Sequence, residues 1–219
     1  MTETLRICKH YVNPMPEPPR LLIVPFAVDG LSDQSGVNIE RMVYHCNLSE
    51  LHMVVRNEIG LGQLGEFLHC FFSKAFANRY RVRQFVFERL LPDYHDCETR
   101  LHSANKPPST RSQGKFVPTF HKLEQMLELC GTKNIQVVLL AMPIQIAYDF
   151  RPEMLGLVEK YKIDLLDMRN TAGLDSSKYI DGTHMNPEGA STFSSAFLDR
   201  FRHYLETQKL CKVLGTQIN

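Results

Sequence analysis

IQVVLLAMPIQIAYDFRPEMLGLVEKYKIDLLDM, Ile135 to Met168, decides the fold class. Its opening, Ile135 to Pro143, is a continuous apolar run of the length and composition of a buried strand. RPEMLGLVEKYK then takes a helical pattern, and Ile163 to Met168 returns to an apolar strand. Strands alternating with helices imply a parallel sheet with helices on both faces.

The same alternation extends outward. Upstream, Thr119 to Cys130 carries Phe120, Leu123, Met126, Leu127 and Cys130 on one helical face, with Gly131 placed to end the helix. Farther back, LLIVPFAV, Leu21 to Val28, reads as another strand buried on both faces, closed by the turn signal Asp29-Gly30. Asn38 to Leu91 is helical in several pieces, with Leu64, Phe67, Leu68, Phe71, Phe72 and Phe76 as a core stripe. Pro92 to Pro118 is polar, broken by Pro107 and Pro108, and reads as a long exposed loop of the kind that borders a site. Downstream of Met168 come a loop and a last helix to about Gln208. Leu21 to Phe26, Val137 to Ala141 and Ile163 to Leu166 are therefore expected to be neighbouring parallel strands in a three-layer α/β sandwich. The 219 residues suit a single domain, with a core over residues 20–205 and a tail over 206–219.

Composition excludes several classes. With 25 Lys and Arg against 24 Asp and Glu, the net charge of +1 gives no field to draw in nucleic acid. Arg79, Arg81, Arg83 and Arg89 do cluster, but Phe85, Val86 and Phe87 run among them, which points to an arginine-rimmed amphipathic helix. Six cysteines lie far apart with no C-x-x-C pair, so they are expected as free thiols in a reducing compartment. Neither a signal peptide nor the roughly 18 apolar residues of a membrane span is visible. The chain as written is expected in the cytoplasm, or at a membrane or outside the cell if it is a piece of something longer.

The chemistry concentrates in YIDGTHMNPEGASTFSSAF, Tyr179 to Phe197. Asp181 precedes His184 by three residues, and Asn186-Pro187 opens a helix with Asn as cap and Pro in the first turn. A carboxylate beside an imidazole fixes the ring's tautomer and leaves the second nitrogen as a general base. A loop past the C-terminal end of a strand is also where open α/β sheets bind ligands. Asp and His three apart suit an ordinary turn as well. What singles this pair out is the preceding strand, the Asn-Pro helix start, and the helix bearing Gly189, Ala190, Phe193 and Phe197. Ser32, in Gly30-Leu31-Ser32, keeps a Gly-x-Ser spacing after a strand, although a turn serine bonded to its own backbone is the simpler account. His45 and His52, seven apart, would share a helix face, and His95, Cys97 and His102 share a loop. Neither set has metal-ligand spacing, and no metal or organic cofactor is expected.

The DGTHMNPEG segment resembles the last conserved block of the SGNH, or GDSL-type, hydrolases, whose D-x-x-H supplies the triad Asp and His. Asp181 and His184 match that pattern, and N-P-x-G follows as it does in many members. The layout of LLIVPF, ANRYRVRQFVFERLL, VVLLAMP and DGTHMNPEG is similar to that of the DltD-like and alginate-acetylation-like relatives. The likeness is loose over Pro19 to Phe201 and good over Ile163 to Phe201. It implies a flavodoxin-like parallel sheet and a cofactor-free ester hydrolase or O-acyl transferase acting on a small-molecule or carbohydrate acyl ester. The family's G-D-S and G-x-N-D blocks have no counterpart here. The resemblance therefore implies a sheet without its first strand, a nucleophile upstream of Met1, at Ser32 or lost, and an exposed edge open to homo-oligomer formation. A non-catalytic SGNH-like binding module is the other reading.

Overall fold

The structure, a computed structural model, describes residues 2–33, 38–46, 48–57, 59, 61–94 and 118–207. In chain order, helix α1 (Thr2–Ile7) runs into a π-helical turn (Cys8–Val12) and is followed by strand β1 (Leu21–Phe26). A helical stretch follows: α2 (Ile39–Met42), α3 (Leu51–Asn57), α4 (Leu64–Phe72), α5 (Lys74–Ala77) and α6 (Arg79–Leu90). The chain then forms α7 (His121–Thr132), β2 (Gln136–Ala141), α8 (Pro152–Tyr161), β3 (Asp164–Asp167) and α9 (Pro187–Thr207).

The three strands form one parallel sheet in the order β1-β2-β3, with Leu21 opposite Gln136 and Val138 opposite Asp164. This is the expected α/β arrangement. The strand between the other two, β2, is buried from Val137 through Ala141. By contrast β1 is only half-buried, and Pro25 within it is exposed. The expectation of a strand buried on both faces is thus corrected for β1, and Pro25 supplies the reason. Proline has no N–H to give a ladder, so it is tolerated where one side of the strand has no neighbour.

Each sheet face carries its own apolar layer. On one, Val24, Phe26, Val137 and Leu139 pack with Leu5, Leu123, Met126, Leu127 and Met154 of α1, α7 and α8. On the other, Val138, Leu140 and Leu166 meet Phe193, Phe197, Phe201 and Tyr204 of α9. Those four rings repeat every three or four residues and lie nearly parallel along the helix, with centroids 5.4 to 6.1 Å apart. A separate apolar cluster ties the helical stretch together through Met42, Val43, Val54, Phe67 and Cys70.

Two helix details differ from expectation. Gly131 does not end α7, which continues to Thr132. The left-handed residue after it is Asn134 (φ 53°), a residue type that tolerates this conformation. The arginine-rich helix α6 forms, but none of its residues is buried, so no apolar face of it packs on the core. Most of the Pro92 to Pro118 segment, Cys97 and Cys211, and the tail after Thr207 lie outside the described residues. Cys8, Cys46, Cys70 and Cys130 carry no disulfide. Among the described residues no helix is long and apolar enough to cross a membrane.

Candidate active site

Because all three strands are parallel, the segments that leave them gather at one end of the sheet. Side chains cross-tie these segments. Arg151, after β2, pairs with Asp29, after β1, at 3.0 Å. Arg169, after β3, donates from Nε and Nη2 to the two carboxylate oxygens of Asp167 at 2.9 and 2.8 Å. The same guanidinium stacks 3.7 Å from the centre of the Phe150 ring and donates to the Tyr148 carbonyl. Arg169 holds the Asp167 carboxyl below its ordinary range, because the bidentate bond favours the charged form.

Beyond this scaffold the chain makes a tight loop before α9. Tyr179 bridges Met185 in antiparallel fashion, and the Ile180 N–H donates to the His184 carbonyl at 2.8 Å. Asp181 organises the interior. Its Oδ1 accepts from the backbone N–H of Thr183 and of His184, each at 2.8 Å, and from the Thr183 hydroxyl at 2.9 Å. Its Oδ2 lies 2.8 Å from His184 Nδ1. A carboxylate only accepts, so Nδ1 is the nitrogen that carries the proton of this bond, and in the neutral ring Nε2 is then the one with the lone pair. Nε2 has no partner among the described residues. Asp181 is 12% exposed and His184 76% exposed, which gives a fixed acceptor behind and an open ring in front.

Three further contacts hold the loop. The Gln145 N–H, after β2, donates to the Gly182 carbonyl at 3.1 Å. Asn186 caps α9 by accepting from the Gly189 N–H at 2.8 Å, while its Nδ2 donates to the Ser177 carbonyl at 2.8 Å. Gly189 is buried so closely that a Cβ there would lie 2.3 Å from the Lys178 carbonyl oxygen.

The pairing of Asp181 with His184 and the Asn186 cap therefore have the geometry expected from the sequence. The other candidates do not join them. Ser32 is 2% exposed, and its N–H donates to the Asp29 carbonyl in a turn. His45 ends a 3-10 turn and His52 lies in α3, with extended backbone at Cys46 between them, so the seven-residue spacing does not place them on one helix face. His95, Cys97 and His102 lie outside the described residues. Among the described residues no three His, Cys, Asp or Glu side chains gather to hold a metal. Sequence reasoning passed over Thr183, Gln145 and the Asp167–Arg169–Phe150 group. Only the Asp-x-Arg spacing at the end of β3 hinted at the last. No protein-family model matches this chain, and comparison with curated proteins and with solved structures finds no match.

Proposed function

We propose that the Asp181–His184 loop is the base half of an SGNH-type ester hydrolase or O-acyl transferase site. The 2.8 Å bond from His184 Nδ1 to Asp181, with Nε2 left open, is the observation that supports this reading. In it, Nε2 takes the proton of an oxygen nucleophile as that oxygen attacks an acyl carbonyl. Asp181 keeps the ring in its tautomer and stabilises the imidazolium. With Ser32 enclosed, the attacking oxygen belongs to water, to an acceptor hydroxyl, or to a serine outside the described residues. The acyl-ester class, small-molecule or carbohydrate, rests on the resemblance alone.

Hydrolysis of p-nitrophenyl acetate and of acetylated xylo-oligosaccharides by the wild type, His184→Ala, Asp181→Asn and Ser32→Ala tests the reading. Turnover is expected to be slow, because a base without oxyanion donors keeps little of a triad's power. It should fall roughly a hundredfold or more, toward the uncatalysed rate, in His184→Ala. Asp181→Asn should also lose it, because an amide cannot accept from Nδ1 while keeping its other bonds. Ser32→Ala should leave it unchanged. Turnover that survives His184→Ala removes the dyad from the chemistry. The second reading, a non-catalytic SGNH-like binding module, is favoured by the absence of any described side chain bonded to Nε2. It predicts no His184-dependent turnover on either substrate.

A further inference from the structure

Away from the dyad loop, a cavity of about 490 Å³ opens between the α2 segment and the junction of α5 with α6. It shares no residue with the Asp181–His184 loop. The volume falls within the roughly 300–1,000 Å³ typical of small-molecule sites. Arg41 and Arg81 line it, and neither guanidinium has a partner among the described residues. The one lining carboxylate, Glu40, is engaged by Arg79 at 3.3 Å.

The Tyr44 hydroxyl presents a further donor. Asn78 Nδ2 donates to the Tyr44 hydroxyl oxygen, which leaves the tyrosine's own proton free to donate into the cavity. Lys74 Nζ lies 4.7 Å above the Tyr44 ring and adds positive potential behind it. His45, in the same wall, has its Nδ1 out of solvent and without a hydrogen-bond partner.

We propose that this cavity binds a small organic phosphate ester, with its phosphoryl group between Arg41 and Arg81. Two planar forks without partners, a hydroxyl donor and a neutralised carboxylate suit a compact dianion, and guanidinium matches phosphate oxygens in bidentate fashion. The cavity volume leaves space for an organic part beside the phosphoryl group.

Isothermal titration with AMP, inorganic phosphate and succinate tests this, using Arg41→Gln, Arg81→Gln, Tyr44→Phe and, as a control outside the cavity, Arg83→Gln. Circular dichroism checks that each variant is folded. Saturable binding of AMP is expected, tighter than that of succinate. Affinity should fall at least about tenfold in Arg41→Gln and in Arg81→Gln, the loss of one charge-assisted bond, and less in Tyr44→Phe. Arg83→Gln should bind like the wild type. If one arginine variant fails to fold, the other and Tyr44→Phe carry the test. Undetectable AMP binding at millimolar concentration overturns the proposal. An equal loss in Arg83→Gln, or tighter binding of succinate than of AMP, overturns it as well.

Discussion

At Gly189 there is no room for a side chain, because the Lys178 carbonyl oxygen occupies the place of a Cβ. Gly189→Ala must push α9 away from the loop that holds the dyad. Overpacking of this kind costs about 1–3 kcal/mol, so the variant should melt several degrees lower in a thermal scan. Gly182→Ala, where nothing lies within 4 Å of the added carbon, should melt like the wild type. Equal melting temperatures for the two would show that the contact relaxes freely. At this scale the sequence was legible where partners are close along the chain. Asp181 and His184 are three apart in one loop, and Asn186 caps the following helix at Gly189, three residues on. The enclosure of Ser32 was not legible, because it depends on packing against segments far along the chain. Asp33, beside it, bonds to residues 86 to 89 positions away.

Among the elements, α7 takes its N-terminal cap from a distance. Asp33 Oδ2 accepts from the His121 N–H at 2.9 Å and the Thr119 hydroxyl at 2.8 Å, while Oδ1 accepts from the Lys122 N–H at 2.9 Å. Burial pushes the Asp33 carboxyl up, but these donors outweigh it and hold it below its usual value. Asp33→Ala should therefore destabilise by about 1–2 kcal/mol, in line with the loss of a helix cap, measured by urea unfolding. A loss under half of that would show that water replaces the carboxylate. Strand and helix identity was readable in β1, β2, β3 and α7 because apolar period reports the local face an element presents. Finer points were less so. The edge position of β1 among the described strands was written in Pro25 and went unread, and α7 runs past Gly131 to Thr132 because the left-handed turn after it falls on Asn134, a residue type that also adopts positive φ. The exposure of α6 could not be read, since an apolar composition does not say whether a neighbour will cover it.

For the whole molecule, the ties among the strand-end loops make stability depend on acid. The folded pKa of Asp167 lies below that of an unfolded aspartate, about 3.9, because Arg169 binds the charged form. Its contribution is therefore complete above that unfolded value and is lost as pH falls through the folded one. The melting temperature should drop below about pH 4, and Asp167→Asn should flatten this acid limb while lowering the plateau at neutral pH. An unchanged acid limb in the variant would remove Asp167 from that role. The overall α/β architecture was legible because the pattern repeats at each strand and helix. The helical stretch between β1 and β2 was legible only as helix, since nothing local says how its pieces pack. The register of the sheet has one more effect, on the time course of folding. Val138 pairs with Asp164 across 26 positions, whereas Leu21 pairs with Gln136 across 115. Closing the longer loop costs about 1.3 kcal/mol more chain entropy, so β2, α8 and β3 should assemble first and β1 should dock last. Leu166→Ala should then slow refolding, whereas Val24→Ala should leave the refolding rate nearly unchanged and speed unfolding. In pulse-labelled hydrogen exchange, the amides of β2 that bond to β3 should gain protection earlier than those of β1.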